Sequence, residues 1–175
     1  MSDPQIPKKI HRRFFLARVA GLSLFAFIEA IPKNVFAFSA PRLRRAKKLT
    51  YTLWSWGYGS SGQLGNGATS IRSSPVQVGG NTAWSAVSAG SDFSLSLRAD
   101  GTVWSFGNNN TGQLGQGTTT SRSSPIRIGT LSSWAKISAG LAHIHLIKKD
   151  GTLWSSGYNS DGQLGVGNRT SRFAV

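Results

Sequence analysis

The chain copies itself. Residues 54–103 and 104–153 align without a gap, and 21 of the 50 positions are identical, which chance does not produce in a single register. A third copy begins at Trp154 and stops at Val175, less than half a period later. Every copy opens on a tryptophan and a glycine: Trp54 and Gly57, Trp104 and Gly107, Trp154 and Gly157. A glycine-rich run follows, Gly62, Gln63, Leu64, Gly65 and Gly67 in the first copy. Its counterparts are Gly112, Gln113, Leu114, Gly115 and Gly117, then Gly162, Gln163, Leu164, Gly165 and Gly167. A unit this short cannot bury an apolar face by itself and must stack on the next, so a period near 50 residues restricts the chain to a solenoid or a propeller.

Within one period the pattern predicts four short strands and no helix: 75–78, Trp84–Ala89, Phe93–Arg98 and 102–106. The third alternates cleanly, with Phe93, Leu95 and Leu97 on one face and Ser94, Ser96 and Arg98 on the other. Asp100-Gly101 reads as a hairpin turn, where glycine accepts positive φ without steric cost. In the second copy the third strand is irregular, since His143, Ile144, His145, Leu146 and Ile147 mix polar and apolar residues. Four antiparallel strands per period make one propeller blade. The expected fold is all-β, a partial β-propeller of two and a half blades.

The motifs Trp54-Ser55-Trp56-Gly57 with Gly62-Gln63-Leu64-Gly65-Asn66-Gly67, and Ser88-Ala89-Gly90 with Asp100-Gly101-Thr102-Val103-Trp104-Ser105-Phe106-Gly107, resemble the regulator of chromosome condensation repeat. The resemblance covers residues 51–175. The kelch repeat has a similar period, but Gly79-Gly80 does not recur, because position 130 is Thr. The family's usual His after Ala-Gly is matched by His143 and replaced by Phe93 in the first copy. The resemblance implies a seven-bladed propeller, which would need about 350 residues. The chain is therefore expected to be a fragment of such a propeller, or to complete a ring by association. The resemblance also implies two kinds of activity. One is binding of a protein partner, as in secreted bacterial propellers that inhibit an enzyme. The other is guanine-nucleotide exchange on a small GTPase, with a second face meeting chromatin.

The formal charge of +14 is unevenly spread. Residues 1–48 carry a net +9 and residues 49–175 a net +5, so the basicity belongs mainly to the leader. There Lys8, Lys9, Arg12 and Arg13 precede an uncharged apolar run from Val19 to Ile28, then Pro32 and the small residues Ala37, Ser39 and Ala40. This order suits an exported segment cut after Ala37 or Ser39. Arg12, Arg13, Phe15 and Leu16 resemble the twin-arginine export motif. Glu29 at the end of the apolar run and the basic cluster Arg42–Lys48 depart from it. The run is too short to span a bilayer, which takes about 20 apolar residues. The division expected is an export signal over 1–40, a basic linker over 41–51 and repeats over 52–175 (54–103, 104–153 and the incomplete 154–175). Localisation is expected to be periplasmic or extracellular, with the membrane met only in transit; the alternative is a cytoplasmic chain. A weaker alternative makes Arg42–Lys48 a nucleic-acid arm, with salt-sensitive affinity.

Little in the repeats suits catalysis. Beyond the leader there are two His, four Asp and no Glu or Cys. Asp100 and Asp150 fit hairpin turns, which leaves Asp92, Asp161, His143 and His145. The two His share a strand face at i, i+2, a spacing open to a metal, but no third ligand is near in sequence. The glycine runs lack the helix that a phosphate loop needs. No enzyme activity, cofactor, metal or small-molecule substrate is expected, and nucleic acid is not the expected partner. The expected partner is a protein, met at the loops. The segments 58–61, 108–111 and 158–161 differ between copies, and variable loops on a rigid scaffold carry specificity, which points to Tyr58, Asn109, Asn110 and Tyr158. Arg72, Arg122 and Arg172 recur at one position, so stacking should set them in a row along one rim, suited to an acidic partner.

Overall fold

A computed structural model describes residues 51–80 and 83–175 together with the backbone of 25–30. Arg12, Arg13, Phe15, Leu16 and the 41–48 cluster lie outside the described residues. Ten strands and no helix are found among those described. The first sheet contains β1 (Phe25–Ala30), β2 (Tyr51–Gly57) and β3 (Arg72–Gln77) in that order. The second is a four-stranded sheet of β4 (Trp84–Ala89), β5 (Phe93–Arg98), β6 (Val103–Gly107) and β7 (Arg122–Arg127), in chain order. The third contains β8 (Trp134–Ala139), β9 (His143–Lys148) and β10 (Leu153–Gly157). All pairings are antiparallel. The partial propeller expected from the repeat is present.

The strand inventory holds, but its grouping differs from the one read in sequence. The strand predicted at 75–78 starts earlier, at Arg72, and closes the sheet of β2 instead of opening that of β4. The glycine-rich segment 58–71 is thus a connection inside one sheet, folded by tight turns such as Gly62 N–H to Gly59 O and Gly65 N–H to Gly62 O. The short segment after Val78 makes the crossing to the next sheet. Pro75 and Pro125 then fall on the edge strands β3 and β7, where the missing N–H spoils no inner ladder.

β1 takes the place in the first sheet that β5 has in the second. Phe27 stands opposite Trp54 and Ile28 opposite Leu53, as Ser96 stands opposite Trp104 and Leu97 opposite Val103. Residues assigned by sequence to the export segment thus pair along β2.

The core lies in the seams between sheets. Leu53, Val78, Trp84 and Phe106 close the first seam. Phe93, Leu95, Leu97, Val103, Leu114, Ile128, Trp134, Ile144 and Leu146 close the second. β5 is buried on both faces: its apolar side meets the third sheet, while Ser94 on the other donates to Gln63 O at 2.9 Å. The same logic explains β9. Ile144 and Leu146 enter the seam, and strand alternation turns His143 and His145 to the outward face.

Candidate interaction rim

At one end of each sheet, a strand-ending glycine pairs with the first residue of the outer segment: Gly57 with Arg72, Gly107 with Arg122, and Gly157 with Arg172. The three arginines thereby occupy one structural position, and all are exposed. None makes an ion pair among the described residues; the pair present is Arg98–Asp100, at 3.5 Å. The row is held together by close approach. A Cβ on Gly62 would lie 2.7 Å from Ser123 Cα, and one on Gly112 the same 2.7 Å from Phe173 Cα. Gly62 also has φ +82°, so both conformation and space demand glycine there. The Gly67 amide donates to Ser123 O at 2.8 Å, and the Gly117 amide to Phe173 O at 2.6 Å.

Tyr58 and Tyr158 follow the paired glycines and are 43 % and 36 % exposed. Asn110 is exposed, with its amide donating to Asn108 Oδ1 at 2.9 Å. Asn109 does not belong with them. It is fully buried, its Nδ2 donates to Thr118 O at 2.8 Å and Thr120 O at 3.1 Å, and its Oδ1 accepts from Leu114 N at 2.9 Å. Asn109 locks its loop and offers nothing to a partner.

The lock recurs at a residue the sequence reading passed over. Asn159 donates to Asn168 O and Thr170 O and accepts from Leu164 N. Each lock also involves a serine hydroxyl that accepts the Asn amide, Ser121 for Asn109 and Ser171 for Asn159. In the first copy the corresponding residues are Gly59 and Ile71, so neither half of the lock is present. The joint change of two positions was the available signal.

The glutamines of the repeat also hold their loops. Gln63 Oε1 accepts from Ser61 N, Gln113 Oε1 from Thr111 N, and Gln163 Oε1 from Asp161 N. Their amides occupy the nearest acceptors: Asp92 at 3.4 Å for Gln63, Asn108 at 3.1 Å for Gln113, Asp161 at 3.1 Å for Gln163. Asp92 and Asp161 are therefore members of loop and seam networks. Asp100 and Asp150 accept from the amide and hydroxyl of Thr102 and Thr152 at their hairpins. The Thr152 bonds hold the Asp150 carboxyl below its ordinary pKa.

The repeated tryptophans pack against the ladder. Trp84 meets Trp104 edge-on at 6.2 Å, and Trp134 meets Trp154 at 6.4 Å. Lys148 Nζ lies 4.0 Å from the Trp154 ring centre, a cation–π arrangement. The rings of His143 and His145 stand 5.1 Å apart. Burial, then the neighbouring His145, lowers the His143 pKa. No group of three metal-ligating residues occurs among the described residues.

Stacked antiparallel sheets with a repeating polar rim define a partial β-propeller of the repeat class. The profile described as the regulator of chromosome condensation (RCC1) repeat matches residues 52–97 and 100–147, and a second profile so described matches 84–113 and 134–163. More than half of the chain is matched, and the chain belongs to the RCC1 repeat family. No curated protein sequence matches it.

Similar solved structures include Prp20p from Saccharomyces cerevisiae, studied for its binding to Gsp1p and histones, with TM-score 0.63 and 20 % identity over 71 % of this chain and 33 % of that one. Human WBSCR16 is similar with TM-score 0.62 and 25 % identity, over 73 % of this chain and 34 % of that one. Yeast RCC1 (Prp20) in a structure with Kap60 has TM-score 0.62 and 19 % identity, over 72 % and 34 %. The chain thus spans about a third of the length of these structures.

Proposed function

We propose that this chain is a non-catalytic interaction scaffold whose rim of Arg72, Arg122 and Arg172, flanked by Tyr58, Asn110 and Tyr158, receives an acidic protein surface. The observation that carries this reading is the row itself: three exposed guanidiniums at one structural position, with no carboxylate bound to any of them among the described residues. Loops pinned by Asn109, Asn159 and the repeat glutamines reach the partner already ordered, so little conformational freedom is lost on binding. Charge complementarity of this kind speeds association and weakens with salt.

The test compares proteins captured by the wild-type chain and by an Arg72→Ser/Arg122→Ser/Arg172→Ser variant, with unfolding midpoints measured alongside. A partner lost from the variant, and released from the wild type by moderate salt, supports the reading. Identical capture by a folded variant rejects it.

Export is part of the same proposal, supported by the order of Arg12-Arg13, apolar run and small residues. Cleavage after Ala37 or Ser39 would remove β1 and open the edge of β2. N-terminal sequencing of the mature protein, with Lys placed at Arg12 and Arg13, tests it: an intact Met1 end inside the cell and indifference to the substitutions would reject it. A second reading, nucleotide exchange on a small GTPase, is supported by the likeness to Prp20p, whose binding to Gsp1p has been studied. It predicts accelerated nucleotide release from a GTPase at micromolar chain.

A further inference from the structure

We propose that Asn66-Gly67 is a site of spontaneous deamidation, held back by the closed first seam and loosening that seam once the reaction has occurred. Of the asparagines in the chain, Asn66 alone is followed by glycine. Gly67 has no side chain to keep its backbone nitrogen away from the Asn66 carboxamide carbon. The corresponding positions in the other copies are Gln116 and Val166, each also followed by glycine. Gln116 Nε2 donates to Ser105 Oγ at 3.3 Å and to Arg127 O at 3.1 Å. Asn66 is one methylene shorter, and its Nδ2 is buried with no hydrogen-bond partner among the described residues. Its Oδ1 accepts from the Ala68 amide at 3.0 Å. A stranded buried amide costs stability. The first sheet has Ser55 and Gln77 where the second has Ser105 and Arg127, so glutamine would find the same acceptors there.

The chemistry needs only water. The Gly67 nitrogen, giving up its proton to hydroxide, attacks Asn66 Cγ and forms a five-membered imide. The Cγ–Nδ2 bond breaks, and the nitrogen leaves as ammonia. Water then opens the ring at either carbonyl, giving aspartate or isoaspartate at position 66. The Ala68 amide already donates to the oxygen on which negative charge develops, and such a donor stabilises the oxyanion. No donor or acceptor holds the departing nitrogen. Gln116 would have to close a larger ring and sacrifice two hydrogen bonds, and Val166 has no amide to lose.

What restrains the reaction is the seam. The Gly67 amide donates to Ser123 O at 2.8 Å, across the junction between the first and second sheets. That hydrogen must be released before the nitrogen can attack, so the reactive form is the one in which the second sheet has moved off the first loop. The product then acts back on the junction. A carboxylate replaces an amide whose nitrogen is shut away from water, and an unpaired charge there is costly. Isoaspartate also lengthens the main chain by one carbon. The lengthening falls between Gly65, where an added Cβ would lie 2.6 Å from the Phe106 ring, and Gly67, bonded to Ser123. Both contacts fix this seam. Arg122 opens the strand that closes on it, so the proposed rim loses its register with the modification; that consequence alone rests on the rim reading.

Peptide mass spectrometry of the full chain, aged at mildly alkaline pH, tests the proposal without any partner. The peptide with Asn66 should gain the mass of an amide turned to a carboxyl, ahead of those with Asn109 and Asn159. Mass is the needed readout, since Asp100-Gly101 and Asp150-Gly151 can isomerise without changing it. In urea the gain at Asn66 should be at least about tenfold faster than in the folded chain, because reaction then no longer waits for opening. Asn66→Gln should abolish the gain and keep or raise the unfolding midpoint. Asn66→Asp, the product itself, should lower the midpoint by at least about 4 °C. An Asn66 that stays intact in urea, equal rates in folded and unfolded chain, or an unchanged midpoint for Asn66→Asp each overturns the proposal.

Discussion

Asn109 shows how a residue of loop-like character becomes part of the interior. Three of its side-chain bonds end on backbone groups, of Leu114, Thr118 and Thr120. Asn109→Ala leaves those groups without their partner, and unsatisfied buried groups cost about 1–3 kcal/mol each at most. The variant should lose about 2 kcal/mol or more in denaturant unfolding, whereas Asn110→Ala, on the exposed side of the same turn, should change stability by less than about 0.5 kcal/mol. His143 makes a second residue-scale prediction. Its folded pKa lies below the ordinary value of 6.5 because of burial and then His145. The unfolded chain therefore takes up a proton first as pH falls. The stability this group gives is present above its unfolded pKa and is lost as pH drops through the lower folded value. Thermal unfolding from neutral to mildly acid pH should show a falling midpoint, and His143→Phe should flatten that slope. An equal slope in both proteins would contradict the assignment.

At the scale of elements, the connection between β2 and β3 depends on glycine where the next sheet presses on it. Gly62 and Gly162 have nearly the same backbone, φ +82° and +79°, but different surroundings. Gly62 faces the backbone of Ser123 and Arg122, while Gly162 has no neighbour within 4 Å of an added Cβ. Both alanine variants carry the cost of a left-handed conformation, about 1–2 kcal/mol. Gly62→Ala adds a backbone clash, so it should be clearly the more damaging in chemical denaturation. Equal losses would mean that the strand start at Ser123 yields freely. Much of this element was readable beforehand. The bounds of β4 and β5 follow from alternation and flanking glycines. The assignment of 72–77 to the preceding sheet did not, because periodicity fixes the length of a repeat and leaves its phase open. Which strand closes which sheet depends on where the chain crosses from one sheet to the next.

For the whole molecule, stability resides in the seams, and each sheet contributes in proportion to how far its faces are covered. Leu95 is fully buried between sheets and Leu153 is 62 % exposed. Leu95→Ala should cost about 2–5 kcal/mol, and Leu153→Ala should cost less than about 0.5 kcal/mol. Comparable losses would show that the third sheet is covered in the isolated chain. The same stacking aligns the rim, since each close approach at Gly62 and Gly112 brings one arginine-bearing strand start against the preceding loop.

The amino-acid sequence alone determined the repeat, its length, the all-β character and the recurrence of one arginine per unit, because each is a matter of periodicity and local backbone preference. Which of the loop residues face solvent was decided only in three dimensions. Tyr58 and Asn109 occupy neighbouring positions in equivalent loops, yet one projects outward and the other satisfies three backbone groups inside. That difference arises from where the surrounding carbonyls and amides come to rest when the turns close. Likewise His143 and His145 are ordinary strand residues until the stacking direction places them on the face turned away from the second sheet.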